Sequence, residues 1–215
     1  MLRALVAALL GSLAFAAPAS AGEWAHPVNI VPIRAQPHTG AERVATTRLL
    51  TEDKLPEVYL VLSHDERWAK VRIPGRPNGR TGWVRRSALG PIRRVDTRIT
   101  VNRATATLTL TKRGRTIFTA RVGVGKAATP TPAGHYWVRE KLRFTNAPLY
   151  GTHALGTAAY ARVSDWPGGG VVGIHGTNQP QLIPGRPSNG CIRVRNADMA
   201  RLYRLTPIGT PITIT

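Results

Sequence analysis

I-H-G-T at Ile174–Thr177 and S-N-G-C-I-R at Ser188–Arg193 decide how this chain of 215 residues is read. Cys191 is its only cysteine, so the chain has neither an internal disulfide nor a multi-cysteine metal site. Gly190 keeps the backbone open beside the thiol, and Arg193 and Arg195 follow closely. Positive charge favours thiolate over thiol, and thiolate is the nucleophilic form. His175 lies upstream, and Pro180, Pro184, Gly185 and Pro187 between the two suit a hairpin-like return that sets the imidazole against the sulfur. A Cys–His pair of that kind is an activated nucleophile at neutral pH. A lone cysteine is otherwise among the most buried and inert residue types, and a lone histidine is commonly a packing residue. The residues alone leave both readings open.

Outward from that stretch the second half of the chain reads as mainly β. Thr97–Leu110 alternates imperfectly, Lys112-Arg113-Gly114 offers a turn, and Arg115–Val124 continues as a partner strand. Ile212–Ile214 reads as a closing strand. A single helix is expected after Asn196, a good N-cap, because Met199, Leu202 and Tyr203 fall at i, i+3 and i+4. Pro207 and Gly209 end it.

Leu89-Gly90-Pro91 marks a boundary, since Gly and Pro both resist continuing a regular element. The chain then divides into residues 1–21, 22–90 and 91–215. Within 22–90, Val44–Leu50, Glu57–Ser63, Trp68–Ile73 and Thr81–Val84 are β-prone, separated by turn formers such as His64-Asp65 and Pro74–Gly79. Trp68, Val71, Ile73 and Trp83 are expected in a small barrel core.

Residues 1–21 have the form of a secretory signal peptide. Arg3 gives a positive start, Ala4–Phe15 is apolar, and Ala19-Ser20-Ala21 is a small-x-small cleavage box. The apolar run falls short of the roughly 20 residues that span a bilayer, so no lasting membrane span is expected after cleavage. The protein is expected to be exported, to a periplasm or to the wall and extracellular space.

The formal net charge is +19, and 42% of residues are hydrophobic, enough for a packed core and against wholesale disorder. The excess is uneven. Residues 22–90 carry 11 basic and 7 acidic residues, whereas 91–215 carry 18 and 4. Outside the cytoplasm the charge points to anionic cell-wall polymers. No nucleic-acid partner is expected, because no reading motif and no interleaved aromatic residues accompany the basic ones. The four acids of the second half, Asp96, Glu140, Asp165 and Asp198, are too few to suggest a two-carboxylate hydrolase. His26, His38, His64 and His135 lack metal-ligand spacing, so no metal is expected.

Two resemblances sharpen this reading. W-A-K-V-R-I-P-G-R-P-N-G-R-T-G-W-V at Trp68–Val84 resembles bacterial SH3-like domains, accessory modules of exported wall enzymes. H-G-T followed by S-N-G-C-I-R, with G-V-G-K-A-A-T-P-T-P-A-G-H-Y-W-V at Gly123–Val138, resembles the L,D-transpeptidase (YkuD-type) catalytic domain. The implied architecture is a small SH3-like barrel followed by a β-rich catalytic domain with one or two short helices.

The resemblance implies Cys191 as nucleophile and His175 as general base, oriented by a backbone carbonyl at or near Gly176. It implies an oxyanion hole from the Gly190 and Cys191 N–H groups, with Arg193 supporting the site and Ser188 shaping the loop. Asn189 stands where many members carry a second histidine, so a mechanism needing two histidines is not expected. Thr177, Tyr150 and His153 are expected along the substrate groove, and Asp165, Trp166 and Gly168–Gly170 at its border. The implied reaction is acyl transfer on peptidoglycan stem peptides. The terminal D-alanine leaves, and an amine or water resolves the thioester, without metal or cofactor. A non-enzymatic wall-binding protein and a secreted cysteine peptidase are the alternatives.

Overall fold

The computed structural model describes residues 22–162 and 169–215, and its strands gather into two sheets. Residues 1–21, expected to be a signal peptide, and residues 163–168, which include Asp165, Trp166 and Gly168, lie outside the described residues.

The first sheet holds β1 (Gly22–Ala25), β2 (Pro32–Arg34), β3 (Arg43–Thr46), β4 (Tyr59–His64), β5 (Trp68–Arg72), β6 (Thr81–Arg85) and β7 (Arg93–Val95). Their order is β3-β2-β6-β5-β4-β1-β7. Successive side chains of a strand point to opposite faces, and that fixes which half of β5 and β6 faces inward. Ala69, Val71 and Val84 enter a core with Ile33, Tyr59 and Ile73. Trp68 and Trp83 take the other parity. Trp68 is buried beneath the Arg85 guanidinium, 4.4 Å from its ring centroid. Trp83 is only half-buried, with Lys70 above it, so it does not share the barrel core expected for it. β7 lies beyond Gly90 and completes this sheet by pairing with β1.

The second sheet holds β8 (Thr97–Asn102), β9 (Thr107–Lys112), β10 (Arg115–Gly125), β11 (Gly134–Arg143), β12 (His153–Tyr160), β13 (Val171–His175), β14 (Gly185–Ser188), β15 (Ile192–Val194) and β16 (Pro211–Ile214). The order is β14-β10-β15-β13-β12-β11-β16-β8-β9. The stretch Thr97–Leu110, read as one strand, is two. It turns between Asn102 and Thr107, where Ala106 takes φ +49° and Asn102 caps the Thr105 N–H. β10 is long enough to pair with β9 along one part and with β14 and β15 along another, so the sheet closes on itself. The fold is mainly β, with α1 (Asn196–Leu205) and two short 3-10 turns.

α1 begins as its apolar spacing demands, and Met199 and Leu202 are buried. Asn196 does not cap it: Arg195 stands at the N-cap, and Asn196 is turned to another use described below.

The two sheets share an interior. Trp24, Val58, Leu60 and Val95 of the first pack into the core formed by β8–β16. Fully burying one such side chain contributes about 1.5–3 kcal/mol. Polar contacts join the same face. The Trp137 Nε1–H donates to the Val58 carbonyl at 2.7 Å. Arg139 on β11 is 1% exposed and reaches Glu57 through Nε at 2.7 Å and Nη2 at 2.5 Å, and Glu52 at 3.1 Å. A charge so far from water is tolerable only when paired and hydrogen-bonded, which Glu57 provides. Arg76 and Asn78, in the loop before β6, hold the end of β12 through the carbonyls of Ala161 and Tyr160.

Candidate active site

β13 and β15 lie side by side and parallel, pairing Ile174 with Ile192 and His175 with Arg193. Both isoleucines are fully buried, which fixes the register of the two strands. That register carries His175 at the end of β13 and Cys191 just before β15 to one place. The connection between them is tied down because β14 runs parallel to β10.

The turn before Cys191 is built by Ser188. Its hydroxyl donates to the Cys191 carbonyl at 2.6 Å and accepts the Gly190 N–H at 3.1 Å. Gly190 sits at φ +129°, a backbone conformation side chains rarely adopt, so glycine is required here. The Gly190 N–H was expected as one of two oxyanion donors. It is instead engaged by the Ser188 hydroxyl.

The His175 Nδ1–H donates to the Gly176 carbonyl at 2.6 Å. A carbonyl can only accept, so the proton sits on Nδ1 and the lone pair on Nε2. Tyr150 packs edge-on against the imidazole, with centroids 4.8 Å apart. Gly176 has no space for a side chain, because a Cβ would run into Asn196 Oδ1 and the Tyr150 carbonyl. Asn196 Oδ1 also accepts the Thr177 N–H at 2.8 Å, so α1 braces the loop that orients His175.

Burial governs the charge state of the pair. It holds His175 down to about 4, with Arg193 acting in the same direction against the Gly176 hydrogen bond. It pushes the Cys191 thiol up, and the Gly173 N–H and Arg193 only partly offset this. The Gly173 N–H lies 3.5 Å from Sγ. The arginines were expected to favour thiolate. Desolvation outweighs them and favours the neutral form of each group.

Two clefts meet at these residues, both lined by Tyr150, Val171, His175 and Cys191. One, of about 340 Å³, has walls from Leu142, Phe144, Ala154 and Leu155 and reaches Asp53 of the first sheet. The other, of about 190 Å³, is lined by Ala161, Ser188, Asn189 and Arg193. Arg193 donates to Gln179 Oε1 at 2.8 Å, and Asn189 Oδ1 accepts from the Thr129 hydroxyl at 3.4 Å.

Two residues expected along the groove lie elsewhere. Thr177 is buried, and its hydroxyl accepts the Gln179 N–H, so it shapes the loop and lines neither cleft. His153 stacks against Tyr203 of α1 and contacts Thr152, away from both clefts. Asp53 and Phe144 were not expected at the site, and Asn196 was expected only as a helix cap. The pairing that brings them in is long-range, and none sits in a recognisable motif. Among the described residues no three His, Cys, Asp or Glu side chains gather as metal ligands.

A thiol and a lone-pair-bearing imidazole thus line the junction of two clefts on the closed β-sheet of a mainly β protein. The family model described as the L,D-transpeptidase catalytic domain (YkuD) matches residues 96–214, and the chain belongs to that family.

A Bacillus subtilis protein assigned by name to L,D-transpeptidase YkuD is 34% identical over 116 residues, which cover 54% of this chain and 64% of that one. Its Bacillus licheniformis counterpart is 32% identical over 145 residues, covering 66% and 81%. The crystal structure of a mutant Enterococcus faecium L,D-transpeptidase is 28% identical and covers 56% of this chain and 50% of that one, with a TM-score of 0.44. The chain thus spans under two thirds of the Bacillus subtilis relative and half of the Enterococcus protein.

Proposed function

We propose that this chain is a peptidoglycan L,D-transpeptidase in which Cys191 is the nucleophile and His175 the base. The observation that carries the reading is that Cys191 and His175 both line the two clefts where they meet, with Nδ1 of His175 tied to Gly176. Family membership of residues 96–214 supplies the substrate class.

In this mechanism the carbonyl joining the third, diamino residue of a tetrapeptide stem to its terminal D-alanine reaches Sγ. As the C–S bond forms, the thiol proton passes to Nε2 of His175, so no free thiolate is required. The developing oxyanion is held by the Cys191 N–H; a donor of this kind typically contributes about 3–4 kcal/mol. The imidazolium then protonates the leaving nitrogen, the C–N bond breaks, and D-alanine departs from a thioester. A stem-peptide amine next attacks the thioester carbon and gives its proton to Nε2; the C–S bond then breaks, and that proton returns to Sγ to restore the thiol. With water in place of the amine the outcome is L,D-carboxypeptidase cleavage.

Arg193, in the smaller cleft, is placed in this reading as the partner of a substrate carboxylate. Asn189 beside it offers a hydrogen bond without a titrating proton, so a single histidine carries the proton traffic. Ser188 and Gly176 act by positioning. Residues 1–21 are assigned as a signal peptide, 22–90 as an SH3-like module and 91–215 as the catalytic domain. The product is exported to the periplasm or wall, where its positive charge favours anionic polymers.

The test is incubation of the full chain and its Cys191→Ser variant with disaccharide-tetrapeptide. Free D-alanine and a crosslinked or trimmed product from the wild type alone support the reading. Equal output from both, or none from either, contradicts it.

A further inference from the structure

The larger cleft runs from Cys191 between apolar walls to one carboxylate, and that carboxylate comes from the first sheet. Leu142, Phe144, Ala154 and Leu155 offer a substrate no charge partner. Among the described residues lining this cleft, Asp53 is the only acid. It sits in an exposed turn of a chain whose net charge is +19.

The turn is held fast. The Lys54 N–H donates to the Thr51 carbonyl at 3.2 Å and the Thr51 N–H to the Leu55 carbonyl at 2.8 Å, with Lys54 at φ +63°. The neighbouring Glu52 is anchored by Arg48 at 3.0 Å, Arg139 at 3.1 Å and the Tyr160 hydroxyl at 2.5 Å. Behind Asp53 stands Glu140, 3% exposed, whose carboxyl is pushed up to about 7 by burial and by the neighbouring Asp53 carboxyl, and whose side chain covers Gly156 in the cleft wall. The Asp53 carboxylate presents two acceptor oxygens to a donor group in the cleft. That arrangement suits a primary ammonium, which carries three hydrogens and needs no fixed plane.

We propose that Asp53 is a specificity-determining residue of the Cys191 cleft, holding the side-chain ammonium of the stem peptide whose carbonyl is presented to the thiol. The proposal rests on the transpeptidase reading above. It concerns the donor peptide, not the acceptor. An acceptor amine must bring a free lone pair to the thioester, and an amine held as ammonium by a carboxylate has none. The first sheet is thereby part of the substrate site.

The test measures binding apart from chemistry. Calorimetry on the full chain carrying Cys191→Ser compares a tetrapeptide bearing a free side-chain amine with the same peptide N-acetylated there, and repeats both with Asp53→Asn added. The free-amine peptide is expected to bind about tenfold or more tightly, as a charge-assisted hydrogen bond warrants. Asp53→Asn should abolish that difference and leave the acetylated peptide unchanged. Equal affinities in the Cys191→Ser protein, a preference that survives Asp53→Asn, or no binding of either peptide overturns the proposal. Mass spectrometry of the wild type then separates the two readings. A preference in binding without any thioester upholds Asp53 and sinks Cys191 as nucleophile, whereas a thioester without preference sinks Asp53 alone.

Discussion

The His175 Nδ1–H bonds to the carbonyl of the very next residue, Gly176, at 2.6 Å, so the ring is oriented by backbone and not by a carboxylate. Holding that carbonyl in place requires Gly176 to lie against Asn196 and Tyr150 with no side chain between. Gly176→Ala is therefore expected to lower the rate of Cys191 acylation at least tenfold, because a displaced ring misaligns the proton acceptor. Circular dichroism should still report a folded β protein. An unchanged acylation rate in the alanine variant contradicts this role.

Alkylation of Cys191 should follow a raised thiol. Burial shifts the group upward, so the iodoacetamide rate is expected to keep rising with pH beyond about 8.5, where an ordinary cysteine has half ionised. A plateau below pH 7 would mean that a preformed thiolate–imidazolium pair exists.

Stability should depend on His175 at acid pH. Its folded value, about 4, lies below the roughly 6.5 of an unfolded histidine. Between these values the unfolded chain takes up a proton that the native chain refuses, so stability falls as pH drops from about 6.5 to 4. The loss is on the order of 3 kcal/mol. Glu140, raised to about 7, works oppositely, favouring the native state at lower pH. Urea midpoints at both ends of this window should show a smaller acid loss in His175→Asn than in wild type. Identical slopes in the two proteins would refute the assignment.

Ser188 serves both the Cys191 carbonyl and the Gly190 N–H while itself 2% exposed. Ser188→Ala leaves both buried groups without their partner, so a loss of about 1–3 kcal/mol is expected in urea titration. Acylation should slow as well, and a variant as stable and active as wild type excludes the loop-shaping role.

The Arg139–Glu57 pair joins the two sheets with both side chains out of water. Arg139→Met should cost about 3 kcal/mol, the low end for a broken buried pair, since the buried Glu57 carboxylate then keeps only the part-exposed Arg48 guanidinium at 3.0 Å. Adding Glu57→Leu should recover much of that. Denaturation of the single and double variants checks the order, and a double variant less stable than Arg139→Met contradicts it.

Local signals carried the strands and the helix because they depend on alternation and turn formers, visible within a few residues. Thr97–Leu110 failed as one strand because threonine continues on both sides of the turn and hides it. Asn196 was misread as a cap because its type suits one, yet the nearby Thr177 N–H claims its oxygen. Tryptophan hydrophobicity placed Trp83 inside, but the period of two in β6 gives that side to Val84. Cys191 and His175 were legible from flanking glycines, arginines and motif order. Their charge state was not, since desolvation depends on what packs above them. Asp53 lies more than a hundred residues from Cys191 in sequence, and only the docking of the two sheets brings it to the cleft.

In the proposed reaction Cys191 takes the acyl group. Intact-protein mass spectrometry after mixing with disaccharide-tetrapeptide, followed by peptide mapping, tests it most directly. The expected result is a mass increase equal to the donor stem lacking its terminal D-alanine, located on the peptide containing Cys191 and missing from Cys191→Ser. An adduct on another residue, or the same adduct on Cys191→Ser, would contradict it.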